Sequence, residues 1–245
     1  VFCCFCRRFV ACLPELIYWW AKDIKNRDRD YFKPYGVYMF CGRQGSGKTM
    51  GLTYLLEKYR KRWPKAKIYT NMQYIHETAP LKSLNDLLNK DLYNGKKGTI
   101  FVLDEIQNEF SCATSKDFPE SLLQLITMQR KQRIVILCSS QVFTRVAKPI
   151  REQAFYVINC KTIFGRYTKL KWYNADLYLD YADNPSLENK RKLMFKAARK
   201  DCFVQSDYLR GCYNSYALVD RLNREGFVPK VPDLNIPVPA INLSF

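Results

Sequence analysis

The sequence predicts an α/β protein in which a mostly parallel central sheet is flanked by helices. Short apolar segments recur between residues 36 and 160, and helical segments lie between them, as in parallel sheets. A glycine-rich stretch joins the first apolar segment to the first helical one. Hydrophobic residues make up 47% of the 245 residues, which excludes wholesale disorder and allows a large core.

The chain divides into three regions. Residues 1–35 form an apolar, cysteine-rich N-terminal segment that turns charged toward its end, and residues 36–160 form the predicted core. Residues 161–245 predict a small antiparallel hairpin turning around 172–176, a basic helix over 187–200 and an extended, proline-punctuated tail.

Five strands and three helices are predicted within the core. Each strand is short, apolar and bounded by charged residues or glycine: 37–41, 67–71, 99–104, 134–139 and 155–160. The predicted helices span 48–61, 81–92 and 119–131, with a weaker helical segment over 146–153.

The stretch after the first strand matches the phosphate-loop pattern G-x-x-x-x-G-K-[ST] at every fixed position. It consists of Gly42, Arg43, Gln44, Gly45, Ser46, Gly47, Lys48 and Thr49. The glycines allow backbone N–H groups to surround a phosphate, and the helix N-terminus adds positive potential. We expect Lys48 to contact the β- and γ-phosphates of ATP and the Thr49 hydroxyl to ligate Mg²⁺. The alternative, an ordinary glycine-rich turn, is disfavoured by the flanking strand and helix.

The third strand ends in two adjacent carboxylates, Asp104 and Glu105. Its apolar run suits a central strand that is buried on both faces. We expect Asp104 to complete the Mg²⁺ shell and Glu105 to polarise the attacking water, which favours nucleotide hydrolysis over phosphoryl transfer to a small substrate. The alternative interpretation of this pair is a solvated strand end.

The fourth strand changes abruptly from apolar to polar at Ser140 and Gln141. If this strand adjoins the first, either side chain emerges beside the phosphate loop, where Gln141 would sense the γ-phosphate or position water. Arg130 lies before the same strand, at the opposite end, and would reach the nucleotide of a neighbouring subunit as an arginine finger. Arg145 and Arg151 are the other candidates, and a solvated basic helix end is the alternative.

In this order, these features resemble the Zot-like family, which comprises zonular occludens toxin and filamentous-phage assembly ATPases. The resemblance spans about residues 38–174 and rests on the phosphate loop followed by five further segments: Tyr69-Thr70-Asn71-Met72, Val102-Leu103-Asp104-Glu105-Ile106-Gln107, Met128-Gln129-Arg130-Lys131, Ser140-Gln141 and Pro149-Ile150-Arg151. Lys131 stands where the family usually has histidine. Family members also commonly carry a membrane-spanning helix after the ATPase domain, and residues 161–245 contain no apolar run of that length.

The resemblance implies a RecA-like P-loop fold with an additional strand, assembled into a homo-oligomeric ring. It also implies ATP-driven virion assembly or extrusion, or DNA movement across a cell envelope. A conjugative or genome-packaging DNA translocase is the alternative within the same superfamily. A nucleotide-gated membrane scaffold with little turnover is the alternative of another class, and Glu105 argues against it.

Four cysteines lie within the first twelve residues, and Cys3 and Cys6 form a C-x-x-C pair. A zinc site is disfavoured because about four ligands are needed and no second pair follows. Neighbouring arginines, together with Trp19 and Trp20, suit S-acylation or an interfacial membrane anchor, whereas packing on the core is the alternative. We therefore expect the protein at the cytoplasmic side of a host membrane, peripheral or anchored through its N-terminus, and in the cytoplasm if it is not anchored.

The chain carries 40 basic and 23 acidic residues, and its net charge of +17 attracts polyanions such as nucleic acid or an acidic membrane surface. Basic and aromatic residues alternate in the C-terminal part, a pattern that suits a nucleic-acid channel, although a solvated helix face is the alternative. The residues are Lys169, Lys171, Lys190, Arg191, Lys192, Lys196, Arg199 and Lys200, with Tyr167, Trp172 and Tyr173. DNA or a nucleoprotein particle is the expected partner.

Overall fold

The structure, a computed structural model, describes residues 2–26, 28, 30–81, 84–108 and 126–214. Its strands are β1 (Gly36–Cys41), β2 (Lys67–Thr70), β3 (Ala79–Pro80), β4 (Thr99–Leu103), β5 (Ile134–Ser140), β6 (Ala154–Ile163), β7 (Tyr167–Asn174) and β8 (Arg199–Val204). Its helices are α1 (Phe2–Lys25), α2 (Lys48–Arg62), α3 (Gln129–Gln132), α4 (Lys148–Glu152), α5 (Ala175–Asp183), α6 (Leu187–Phe195) and α7 (Asp207–Gly211).

The strands form one mixed sheet in the order β3-β2-β4-β5-β1-β6-β7-β8. The first six strands in this order, from β3 through β2, β4, β5 and β1 to β6, are mutually parallel. Strand β7 pairs antiparallel with both β6 and β8. The α/β fold class is therefore confirmed. Strand β5 lies between β1 and β4 and is the additional strand that the resemblance implies. Because the three strands are parallel, their carboxyl ends lie at the same edge of the sheet.

The central strands are buried on both faces because helices and loops cover the sheet on each side. Every residue of β1, β4 and β5 is buried. One core lies between the sheet and α2, and includes Phe40, Leu52 and Leu137. The core on the opposite face includes Met39 and Phe101, and α5 packs against it.

The β6–β7 hairpin turns earlier than the sequence suggested. Its loop is residues 164–166, where Phe164 and Gly165 both have positive φ, 51° and 69°. The predicted turn at 172–176 is wrong, because that stretch continues β7 to Asn174 and then begins α5. The hairpin extends the central sheet itself, and the boundary expected at residue 160 falls inside β6.

Two predicted helices differ from the observed structure. Within the predicted helix 81–92, the described residues form short 3₁₀ turns, because the Asn89 side chain accepts a hydrogen bond from the Asp91 N–H and interrupts the helix. The basic helix ends at Phe195, because residues from Arg199 onward pair with β7 as strand β8. Most of the predicted helix 119–131 and the tail beyond residue 214 lie outside the described residues.

Helix α1 is a long helix whose described side chains, from residue 10 onward, are all exposed. Apolar residues recur along it at alternating spacings of three and four, which places them on one side: Val10, Leu13, Ile17, Trp20 and Ile24. Glu15 and Lys22 lie on the opposite side. In the described part of the chain, we find no helix that combines the length and apolar character needed to cross a membrane.

Candidate nucleotide-binding site

The phosphate loop connects β1 to α2 at the carboxyl edge of the sheet. The loop closes with a hydrogen bond from the Ser46 N–H to the Arg43 carbonyl, 3.1 Å long. Gly47 has a φ of 86°, and a Cβ on this residue would lie 2.4 Å from the Thr162 hydroxyl oxygen, so only glycine fits. A Cβ on Gly45 would have no atom within 4 Å, which leaves the loop open to a ligand on that side.

Lys48 is the first residue of α2, and its side chain is almost fully buried. Its ammonium group lies 3.5 Å from the Arg43 carbonyl and 3.6 Å from Glu105 Oε1. The lysine is thus held inside the loop between a carbonyl dipole and a carboxylate. In this position, it is available to a phosphate that enters the loop.

Asp104 follows β4 and faces the start of α2. The Thr49 hydroxyl lies 3.1 Å from Asp104 Oδ2 and 3.3 Å from Oδ1, and the Ser139 hydroxyl also donates to this carboxylate. The backbone of Asp104 is fixed by the Asn71 amide, which accepts from its N–H at 2.7 Å and donates to its carbonyl at 3.1 Å.

Burial raises the pKa of Asp104, whereas its hydrogen bonds from Ser139 and Thr49 lower it; the neighbouring Glu105 raises it. A bound cation would oppose this upward shift, because it favours the charged carboxylate. A hydroxyl beside a buried carboxylate is an oxygen donor set that suits Mg²⁺, so Thr49 and Asp104 fit the residues expected to hold it. When bound there, Mg²⁺ would neutralise charge on the phosphate oxygens.

Glu105 adopts a left-handed backbone conformation, with a φ of 53°. Its N–H donates to the Ser139 hydroxyl at 2.9 Å, and its side chain accepts a hydrogen bond from the Gln107 amide. Such a conformation is uncommon for a non-glycine residue and persists where surrounding contacts fix it. Here it turns Glu105 toward Lys48.

The carboxyl end of β5 lies beside the phosphate loop, as predicted, because Ser140 pairs with Cys41 of β1. The Ser140 hydroxyl is buried and donates to the Val142 carbonyl at 2.9 Å, so it faces its own loop. Gln141 instead lines a pocket of about 490 Å³ that opens next to Gly42 and Arg43. The pocket also has aromatic lining residues: Phe143, Tyr178 and Tyr181.

The three candidate arginines are placed differently. Arg130 is exposed on α3, at the amino end of β5 and thus at the sheet edge opposite the phosphate loop, and its guanidinium lies 5.8 Å from the Tyr35 ring. Arg145 is exposed near the loop edge. Arg151 donates to the Val146 carbonyl at 3.0 Å and is held by its own loop.

Sequence reasoning missed three residues that position the site. Ser139 joins Asp104 to Glu105, Asn71 fixes the Asp104 backbone, and Thr162 donates to the Ser46 carbonyl at 2.9 Å. Ser139 and Asn71 occur at strand ends, which is a signal for site residues in parallel sheets. Thr162 carries no such signal.

No family model and no curated protein matches this sequence. Among solved structures, the N-terminal domain of zonular occludens toxin from Neisseria meningitidis matches with a TM-score of 0.52 at 15% identity, covering 73% of this chain and 98% of that one. The two share a fold. The resemblance to Zot-like P-loop ATPases is thus confirmed at the level of the fold.

Two further solved structures match with lower TM-scores. The genome packaging NTPase B204 from Sulfolobus turreted icosahedral virus 2, in complex with sulfate, has a TM-score of 0.45 at 14% identity and covers 71% of this chain and 96% of that one. The flagellar accessory protein FlaH from Methanocaldococcus jannaschii has a TM-score of 0.39 at 14% identity and covers 57% of this chain and 78% of that one.

Proposed function

We propose that the protein hydrolyses ATP with Mg²⁺ and uses the reaction to drive movement, as a motor of the Zot-like type. The observation that carries the proposal is the convergence of two parts of the chain on one point. Lys48 and Thr49 come from the phosphate loop, whereas Asp104 and Glu105 come from the end of β4. Lys48 forms an ion pair with Glu105, and the Thr49 hydroxyl donates to Asp104.

The roles of these residues follow from their positions. Backbone N–H groups of the loop and Lys48 would bind the β- and γ-phosphates, and Thr49 and Asp104 would hold the metal ion. Glu105 would accept a proton from the attacking water as the water oxygen bonds to the γ-phosphorus. The bond from that phosphorus to the β,γ-bridging oxygen then breaks, which gives ADP and phosphate.

Binding and hydrolysis are tested separately by two substitutions. Lys48→Ala should lower ATP affinity by more than about tenfold, because a charged phosphate contact is lost. Glu105→Gln should leave Mg·ATP affinity within about threefold of the parent. It should slow ATP hydrolysis, measured as phosphate produced over time, by roughly 10²–10⁴-fold, the range of general-base catalysis. Lys61→Ala and Glu152→Gln, which change exposed residues, are the matched controls.

Three results would contradict the proposal. Tight ATP binding by Lys48→Ala would remove the phosphate-loop assignment. If Glu105→Gln slowed turnover by less than about fivefold, a group other than Glu105 would accept the proton of the attacking water. A parent protein that binds ATP but releases phosphate no faster than Lys48→Ala would be a nucleotide-gated scaffold.

The motor assignment rests on the shared fold and on charge. We infer a homo-oligomeric ring that acts on DNA or on a nucleoprotein particle, in virion assembly or extrusion or in DNA movement across an envelope. The net charge of +17 supports a polyanionic cargo. A conjugative or genome-packaging translocase has the same site, and turnover that rises with added duplex DNA would favour it.

We also propose that the protein works at the cytoplasmic face of a host membrane, attached through α1. The apolar stripe of this helix (Val10, Leu13, Ile17, Trp20 and Ile24) supports an orientation in the plane of the lipid surface. Trp20 is 64% exposed, and tryptophan favours the membrane–water boundary.

A further inference from the structure

We propose that four lysines on one face of strands β6, β7 and β8 form a binding surface for the phosphate backbone of duplex DNA. We call this set, Lys161, Lys169, Lys171 and Lys200, the lysine ladder. The proposal rests on the motor function only for its purpose, because binding of DNA is measurable without nucleotide.

The strand register places the four lysines together. Lys161 of β6 lies directly opposite Lys169 of β7, and Lys171 of β7 lies directly opposite Lys200 of β8. Residues that face each other across antiparallel strands point to the same side of the sheet, and so do residues two apart along one strand. All four ammonium groups therefore leave the same face, and all four residues are exposed.

The arrangement is unfavourable for the protein alone. Like charges directly opposite each other destabilise a sheet, and the ladder contains two such pairs. In the part of the chain that the structure describes, no carboxylate lies within ion-pair distance of any of the four lysines. Arg199, on the opposite face of β8, behaves differently, since it is paired with Asp201 at 2.6 Å.

Protection of a sheet edge does not explain the ladder. Lysines on an edge strand prevent strand pairing between molecules, and this role suits Lys200 on β8. Lys161 lies two residues beyond the last pair between β6 and β1, whereas Lys169 and Lys171 lie on β7, which is paired with β6 and β8 at both positions. Edge protection therefore does not account for the two lysines of β7, and the phosphates of a polyanion would supply the counter-charge.

The shape of this face favours a nucleic acid over a lipid bilayer. Helix α5 crosses the same face, where the Tyr178 hydroxyl donates to the Asn159 side chain at 3.1 Å. Asn159 lies directly opposite Lys171 in the strand register. The ladder thus lies beside a helix about 10 Å thick, which a flat bilayer would meet first, whereas a DNA duplex can lie along the step.

The contact is expected to be independent of base sequence. Of the three aromatic residues that the sequence suggested as stacking platforms, Trp172 and Tyr173 are buried at 4% and 3% exposure. Tyr167 is partly exposed on the ladder face, where the Lys169 ammonium lies 5.5 Å from its ring. Proteins that bind unpaired bases stack successive bases on several aromatic rings, and a single partly exposed ring leaves phosphate contacts as the larger part of the affinity. A duplex presents phosphates on its outside and needs no such platform.

The ladder is also connected to the nucleotide site. Lys161 and Thr162 are consecutive residues of β6 and point to opposite faces of the sheet, and Thr162 donates to the Ser46 carbonyl of the phosphate loop. On the ladder face, one register row runs from Cys41, at the start of that loop, through Asn159 and Lys171 to Lys200. DNA bound to the ladder would therefore contact β6, the strand whose Thr162 supports the phosphate loop.

The test compares a fourfold substitution, K161Q/K169Q/K171Q/K200Q, with a matched control, K33Q/K90Q/K96Q/K97Q, that removes four exposed lysines elsewhere. The probe is a mixed-sequence 30-base-pair duplex, and its affinity for the full chain is measured without nucleotide between 50 and 200 mM salt. Because each phosphate contact contributes about −0.9 to the slope of log affinity against log salt, loss of four contacts should reduce the slope by about 3 to 4.

Over this salt range, the ladder contacts account for roughly a 10²-fold change in affinity, which the ladder variant should lack and the control variant should keep. Circular dichroism melting confirms that both variants are folded. Equal losses in the two variants would mean that net charge alone binds DNA, and an unchanged slope in the ladder variant would remove the surface altogether.

Two further measurements distinguish this proposal from lipid binding and from the proposed motor function. Vesicles containing phosphatidylserine are the second probe, and a ladder variant that loses vesicle binding but keeps DNA binding would overturn the assignment in favour of lipid. Basal ATP turnover should be unchanged in the ladder variant, whereas any response of turnover to the duplex should disappear. If the parent does not hydrolyse ATP, the motor function fails while the DNA slope still tests the ladder.

Discussion

The Thr162 hydroxyl donates a hydrogen bond to the Ser46 carbonyl at 2.9 Å and so ties the β6–β7 hairpin to the phosphate loop. Thr162 also lies 2.9 Å from the Thr168 hydroxyl, to which the Gln205 amide donates at 2.9 Å. Arg210 in turn donates to the Gln205 side chain at 3.0 Å. The loop is therefore supported from behind by residues of the C-terminal strands and of α7.

This relationship predicts that Thr162→Val weakens ATP binding. Valine has the same shape but leaves the Ser46 carbonyl without its donor, and one such hydrogen bond contributes about 0.5–1.5 kcal/mol. We expect KM for ATP to rise about three- to tenfold, with a smaller change in kcat, because the residue positions the loop and does not touch the reacting atoms. Thr162→Ser restores the donor and should recover at least half of the lost affinity; a serine variant as weak as the valine variant would refute this role.

The buried carboxylate of Asp104 predicts a dependence of stability on pH. Its pKa in the folded protein is raised above that in the unfolded chain, so its favourable contribution is complete below the unfolded pKa and is lost as pH rises through the folded pKa. Asp104→Asn should therefore raise the melting temperature at pH 7 in the absence of Mg·ATP. The gain should shrink as the pH is lowered toward 4.

Ligand addition is the control for this prediction. Mg·ATP should raise the melting temperature of the parent by mass action but not that of Asp104→Asn, which lacks the charged metal ligand. An asparagine variant that is less stable than the parent at pH 7 would show that the carboxylate is satisfied by Ser139 and Thr49 alone.

The parts of the site that depend on local sequence were predictable. The phosphate loop is contiguous, and its Lys48 and Thr49 directly follow Gly47, one of the glycines that shape it. Asp104 and Glu105 were visible because a fully apolar strand precedes them. Their side chains meet Lys48 and Thr49 because β5 places β1 and β4 one strand apart, with their carboxyl ends at one edge.

The supporting residues were not predictable, because their roles depend on pairings between distant strands. Ser139 on β5 donates to Asp104 at the end of the neighbouring strand β4. Thr162 donates to Ser46, which is 116 positions away in the sequence. The hairpin turn was misplaced for a different, local reason. Phe164 and Gly165 give a weaker turn signal than a two-residue Asn-Gly turn, and the period-2 pattern continues past them into β7.

The exposed stripe of α1 predicts binding to anionic lipid vesicles. Ile17→Glu/Trp20→Glu places two charges on the apolar side, and because each large apolar side chain contributes about 1.5–3 kcal/mol on burial, vesicle affinity should fall by at least about 10². Tyr18→Glu/Trp19→Glu makes the same change away from the stripe and should fall far less. Cosedimentation of the full chain with vesicles checks this, and equal losses in the two variants would indicate attraction by charge alone.

Arg130 predicts an active site that is completed across a subunit boundary. It lies on α3 at the sheet edge opposite its own phosphate loop, is exposed, and has the Tyr35 ring 5.8 Å away. Within one subunit it is on the wrong side of the sheet, whereas in a ring that edge would face a neighbour's nucleotide. Arg130→Ala should therefore keep ATP affinity but lose turnover, since a guanidinium at the γ-phosphate contributes about 10³–10⁵ in rate where it has been measured. Lys131→Ala, the exposed adjacent residue, is the control and should stay near the parent rate.

Mixing distinguishes this role from one within a single subunit. Glu105→Gln subunits keep Arg130, and Arg130→Ala subunits keep Glu105, so a mixed ring contains some complete interfaces and should recover part of the parent turnover. Two inactive variants whose sites lie within one subunit would stay inactive at every ratio. Absence of recovery, with co-assembly shown by differently tagged subunits, would exclude Arg130. Arg145 would then be the next candidate, because the Arg151 guanidinium is already engaged by the Val146 carbonyl.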